Sequence, residues 1–162
     1  MCLFNYTEMS RVTGVPIKYL FTRGQQIKVS SQLFRKAFEN NMIIPNVPRN
    51  EGQTSYEGAI VIDPITGFYE TPIATLDFAS LYPSIMMAHN LCYSTFIPRH
   101  LVSSVDPSIY QKTPSGECFV KSSQKKGLLP QILEELIGAR KQAKRELALS
   151  NDPFEKAVLN GR

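Results

Sequence analysis

Two short strings that assign an enzyme class are missing from these 162 residues. There is no G-x-S-x-G, so a nucleophile elbow has no support. There is no G-x-x-x-x-G-K-[ST] either, so a P-loop has none. Cysteine is sparse: Cys2, Cys92 and Cys118 are too few and too scattered for a disulfide framework. A reducing, intracellular setting is expected from that usage. No apolar run approaches the roughly 18 residues that a membrane span requires. The first residues, MCLFNYTEMSR, lack the basic leader and long apolar stretch of a secretory signal. Internal repeats and low-complexity tracts are also absent. What is present is ordinary for a soluble globular domain with a real core: 43% hydrophobic and 20% charged residues.

Net charge is +4 and the isoelectric point is about 9.0. That balance permits nucleic acid or another polyanion as partner without requiring one. The basic residues cluster in KSSQKK (Lys121 to Lys126) and ARKQAKRE (Ala139 to Glu146). A solvated face is the default for either cluster taken alone.

Along the chain, residues 6–13 predict a short helix broken by Gly14-Val15-Pro16, and a second short helix follows through Phe21. From Gln25 to Asn40, Ile27, Leu33, Phe34, Ala37 and Phe38 fall near one helical stripe. Ile43 to Gln53, rich in Pro, Asn and Gly, reads as a linker. EGAIVID, PITG and FYETPIATLDF predict strand, turn and strand, with Asp63-Pro64 and Gly67 at the turn. After Asp77 the pattern turns helical to about Asn90, and residues 93–120 carry short β-like pieces. Gly127 to Ser150 is the clearest helix, and Asp152 with Pro153 opens another as N-cap and first helical residue. The helical patterns at both ends, without flexible tails, create the expectation of a fragment.

PIATLDFASLYPSI, Pro72 to Ile85, is the stretch that carries chemistry. A strand there ends on one acid, Asp77, the usual address of active residues in α/β arrangements. Ser80 is a candidate N-cap, and Pro83 falls in the first turn, where its missing N–H costs little. The free N–H groups from Leu81 onward make an anion pocket. A carboxylate beside such a pocket repels the ligand the pocket prefers, and a bridging divalent cation removes the conflict. Mg2+ takes one or two carboxylates with phosphate oxygens and water. The spacing therefore reads as a metal–phosphate site, or else as an acid favoured by the helix dipole beside an ordinary cap.

On the long helix, Leu129, Leu133 and Leu147 lie within about 60° of Leu136, with Arg140 at about 40° and Lys144 at about 80°. Lys141 and Arg145 point away, at about 140° and 180°. Arg140 and Lys144, one turn apart, can grip a polyanion at a cleft edge. The competing readings are a snorkelling arginine or an ion pair with a nearby glutamate. His89-x-x-Cys92 has metal-like spacing but no second pair, so a helix end is the simpler reading of His89. Tyr56, Tyr69, Tyr82 and Tyr93 can stack on bases or serve packing.

DFASLYPSI, Asp77 to Ile85, resembles the first polymerase motif of the B-family DNA polymerases. EMSRVTGVP, RGQQIKVSSQL, YEGAIVIDP, FVKSSQKKGLLPQILEELIGARKQAK and VLNGR extend the resemblance, to the delta branch of that family, over essentially the whole chain. It implies a mixed α/β (α+β) fold. Residues 1–48 would end an exonuclease domain and its crossover. Residues 49–125 would begin a palm with a mixed, mainly antiparallel sheet, and residues 126–162 would begin the fingers.

The resemblance also implies roles. Asp77 would be one of two aspartates holding two Mg2+ ions, with the Phe78 carbonyl as a further ligand. Ser80 and the Leu81 backbone would touch the incoming deoxynucleoside triphosphate, and Tyr82 would lie under its sugar and exclude a 2′-hydroxyl. Arg140, with Lys144, would bind the triphosphate, while Tyr56 and Gly58 of the YEGA motif would contact template DNA. The implied partners are primer–template DNA and, for a full-length protein, accessory subunits and a sliding clamp in the nucleus, with no membrane role. The Asp-Thr-Asp hairpin, the Lys–Asn–Ser–Tyr–Gly helix, the exonuclease acids and the cysteine clusters that hold an iron–sulfur or zinc centre are not in this sequence. One metal carboxylate cannot organise two ions, so the isolated chain is expected to be inactive. The alternative is a short product that binds DNA or nucleotide without catalysis.

Overall fold

A computed structural model describes residues 2–44 and 58–161. Six helices and three short strands occur among them. They are α1 (Cys2–Thr13), α2 (Ile17–Thr22), α3 (Gln26–Glu39), α4 (Leu81–Ala88), β1 (Phe96–Ile97), β2 (Tyr110–Lys112), β3 (Cys118–Val120), α5 (Leu128–Leu149) and α6 (Pro153–Gly161), with a 3-10 helix at Arg99–Ser104. The fold class is mixed α/β, as the sequence predicts. The chain divides into two units, one of Met1–Pro45 with Ser80–Arg162 and one of Asn46–Ala79.

In the first unit, α5 is the organising element and packs against α3, α4 and α6, while α1 packs against α2, α3 and α6. Its core joins Leu33 and Ala37 of α3 to Cys92 and to Leu128 and Ile132 of α5. The stripe expected on α3 is narrower than its periodicity predicts. Phe34 and Phe38 are exposed, at 62% and 84%. They stand about 100° round the helix from Leu33 and Ala37, the pair that α5 covers. Lys36 reinforces the α3–α5 contact through Glu135 at 2.6 Å. At the far end, the Phe4 and Phe154 rings meet edge to face, 5.3 Å apart, and Leu159 of α6 is buried. The α1–α2 turn runs through Gly14 at φ 69°, a left-handed geometry that glycine adopts at no steric cost.

The β-like pieces expected within 93–120 form one antiparallel sheet in the order β1-β3-β2. Phe96 pairs with Phe119, and Gln111 pairs with Phe119 from the other side. Asp152 caps α6 as predicted, its Oδ1 accepting the Phe154 N–H at 2.9 Å. On the loop before β2, the backbone N–H of Ser108 donates to Asp106 at 2.8 Å and holds that carboxyl below its ordinary 3.8. No helix among the described residues is long and apolar enough to cross a membrane.

The described part of the second unit, residues 58–79, corrects one expectation. The strand–turn–strand is not formed: the backbone is extended with bends at Gly67 and Thr71, and no residue joins a ladder. Ile60, Val61, Ile62, Ile65, Phe68, Leu76 and Phe78 are all exposed. A β-rich sequence becomes a strand only when a partner satisfies its N–H and C=O groups and covers its apolar face. Among the described residues no such partner is available, and the propensity stays unexpressed.

Candidate functional site

The sequence-predicted residues fall in both units. Asp77 and Phe78 end the extended second unit and are exposed. Ser80, Leu81 and Tyr82 open α4 in the first unit, and Arg140 and Lys144 belong to α5. Gly58 is extended and exposed. Tyr56 and most of the predicted linker at 43–53 lie outside the described residues.

Ser80 holds the N-cap position, but its cap chemistry differs from the expectation. Its backbone is left-handed (φ 52°, ψ 54°), and its side chain makes no cap hydrogen bond. A serine cap needs an extended backbone to aim its hydroxyl at the first-turn amides. The left-handed turn costs about 1–2 kcal/mol for a non-glycine residue. It also leaves the hydroxyl without a hydrogen-bond partner among the described residues. The Ser80 carbonyl still accepts the first helical bond, from the Ser84 N–H at 2.9 Å. Pro83 stands in the first turn, so the orphan donors before it are those of Leu81 and Tyr82. Tyr82 is 75% exposed.

On α5 the buried residues are Leu128, Pro130, Ile132 and Ala143. Arg140 and Lys144 stand at the margin of that stripe rather than within it. The arginine is exposed yet lines two grooves, one with Val12, Leu136 and Ala143, the other with Lys144, Leu147 and Leu159. The second groove, of about 200 Å³, brings the two cations together. Neither makes an ion pair among the described residues. The neighbouring basic cluster is partly neutralised, because Lys126 pairs with Glu134. Arg140 and Lys144 thus form an unpaired dicationic rim one turn long, suited to an anion of more than one charge.

His89 ends α4 as its C-cap, in line with the simpler reading. Cys92 is buried, and its Sγ accepts the Leu129 N–H at 3.2 Å. No group of three or more His, Cys, Asp or Glu side chains that could hold a metal occurs among the described residues. Asp77 and the Phe78 carbonyl are hard oxygen donors of the kind Mg2+ accepts, and they make up a partial set. Sequence reasoning missed Asn90, which ties α4 to α5 and has no motif or periodicity to announce it.

Comparison with known proteins gives a consistent picture. The sequence pattern of DNA polymerase family B matches residues 15–162. The DNA polymerase delta catalytic subunit of Dictyostelium discoideum is 60% identical over the whole chain. The corresponding subunits of Candida albicans and Arabidopsis thaliana are 57% and 58% identical, again over the whole chain. The chain spans 15–16% of the length of these relatives.

Proposed function

The chain belongs to DNA polymerase family B, and from that premise we propose that it supplies part of the nucleotide site of a delta-type replicative polymerase. The reaction is attack of a primer 3′-hydroxyl on the α-phosphate of a deoxynucleoside triphosphate, with release of pyrophosphate. The observation that carries this reading is the family match, which contains Asp77–Ile85 and both α5 cations. In this reading residues 1–48 would end an exonuclease domain, 49–125 would begin the palm and 126–162 would begin the fingers.

The chain's own groups divide the work by chemistry. The N–H groups of Leu81 and Tyr82, at the positive end of the α4 dipole, donate to phosphate oxygens. The Ser80 hydroxyl, not spent on a cap, adds a third donor. Arg140 and Lys144 neutralise the polyphosphate, the guanidinium offering a forked pair of donors. The Tyr82 ring lies under the deoxyribose, where a 2′-hydroxyl finds no room. Asp77 and the Phe78 carbonyl would hold Mg2+, and one carboxylate alone is too few for a pair of ions. When bound, the metal stabilises negative charge at the reacting phosphate and at the leaving group. Primer–template DNA, with Tyr56 and Gly58 on the template strand, completes the complex. Accessory subunits, a sliding clamp and a nuclear location belong to the same reading.

The test is made in the full-length polymerase. Asp77→Asn lowers kcat for primer extension by about 10²- to 10³-fold, in keeping with loss of electrostatic stabilisation at the reacting centre. Binding of primer–template, followed by fluorescence anisotropy, is retained. Extension at the wild-type rate by the variant would overturn the assignment.

A further inference from the structure

Between α4 and α5 the chain is tied by a buried polar joint. Asn90 follows α4 in a left-handed backbone (φ 51°) and is 1% exposed. Its Nδ2 donates to the Val120 carbonyl at 2.7 Å and to the Lys125 carbonyl at 2.8 Å. Its Oδ1 accepts the Gly127 N–H at 2.8 Å. The Asn90 carbonyl in turn accepts the Thr95 hydroxyl at 2.6 Å. Two further first-turn amides of α5 are received by the same segment: Leu128 N–H by Ser94 Oγ and Leu129 N–H by Cys92 Sγ, both at 3.2 Å. The start of α5 is therefore capped by the loop that leaves α4, and not by its own side chains. A Cβ on Gly127 would stand 2.7 Å from Cys92 Cβ, so glycine is required there by close approach.

A joint made only to fill space would be apolar, because polar groups gain little from burial even when satisfied. This one has every buried side-chain polar atom partnered among the described residues. It fixes direction as well as distance. Resting on the nucleotide reading above, we propose that the Asn90–Gly127 joint is a positioning device. It sets the direction in which α5 leaves the joint, and so where Arg140, 13 residues along the helix, comes to stand relative to the Ser80–Tyr82 turn. The lever from Gly127 to Arg140 is about 20 Å long at about 1.5 Å per residue, so a tilt of about 3° at the joint moves the guanidinium by about 1 Å. Asn90, Thr95 and Gly127 thereby act on nucleotide affinity through Arg140, without touching the nucleotide.

The experiment uses the full-length polymerase carrying Asn90→Gly, which keeps the left-handed backbone and removes the three side-chain bonds. Gly127→Ala is the second variant and carries the test if the first does not fold. Each is also combined with Arg140→Ala. The KM for deoxynucleotide is read beside kcat and the Kd for primer–template. The expected result is a KM raised roughly tenfold to 100-fold, the cost of a misplacement on the scale of 1 Å. The DNA Kd stays unchanged, and no further KM effect appears in the Arg140→Ala background. A lowered kcat or yield at unchanged KM would mean a scaffold role only and would overturn the proposal. So would a KM effect that persists at full size without Arg140. If Arg140→Ala alone leaves the KM at wild type, the nucleotide reading itself fails, and this inference falls with it.

Discussion

Ser80 and Asp152 both stand at helix N-caps, yet only one of them caps. Asp152 accepts the Phe154 amide, whereas Ser80 is turned left-handed and accepts nothing with its side chain. Loss of a working cap costs about 1 kcal/mol, and loss of an idle exposed side chain costs less than about 0.5 kcal/mol. Asp152→Ala should therefore speed amide hydrogen exchange in the first turn of α6, and Ser80→Ala should leave the first turn of α4 nearly unchanged. Equal effects at both ends would show that Ser80 does cap. The sequence contains the serine and its position, but not its backbone conformation. A left-handed residue is set by how the segments on either side are anchored, and no local preference of serine foretells it.

Among the elements, α3 and α5 were readable because each repeats its apolar residues over several turns. The α3 periodicity overstated the buried face, since pattern marks which residues share a side and not how wide the covering helix is. The same arithmetic put Arg140 inside the α5 stripe, about 40° from Leu136, whereas the arginine is exposed and the buried face is centred on Leu128, Ile132 and Ala143. Asn90 was invisible: its partners are 30 to 37 residues away, and hydrogen bonds across such distances leave no period in the chain. One change on α5 follows from its interior. Gly138 lies in mid-helix with nothing within 4 Å of the space a Cβ would take. Gly138→Ala should stabilise the helix by about 1 kcal/mol, read as slower exchange of the α5 amides. Unchanged or faster exchange would mean that the site is less open than it stands here.

For the whole molecule, the decisive feature is the apolar surface of residues 58–79. Strand propensity was legible there and the strands are not, because pairing is a property of partners as much as of sequence. An exposed run of this kind seeks association. Purified 1–162 should bind a hydrophobic dye and sediment as a mixture of assemblies, and it should extend no primer in Mg2+. A monomeric, cooperatively melting chain would contradict the first expectation, and templated synthesis would contradict the second. The expectation of no synthesis rests on the proposed metal role of Asp77, the single carboxylate of DFASLYPSI.

The thiol buried at the α4–α5 joint has one more use. Cys92 is 5% exposed and Cys118, in the middle strand, is 3% exposed. A thiol reagent reaches either one only when its surroundings part. The rate of labelling divided by that of a free thiol is then an opening constant, measured in place and without an added probe. Cys92 and Cys118 amount to two clocks in one molecule, one timing the α4–α5 joint and the other timing the sheet. Saturating deoxynucleotide should slow the first clock and leave the second running at its own pace.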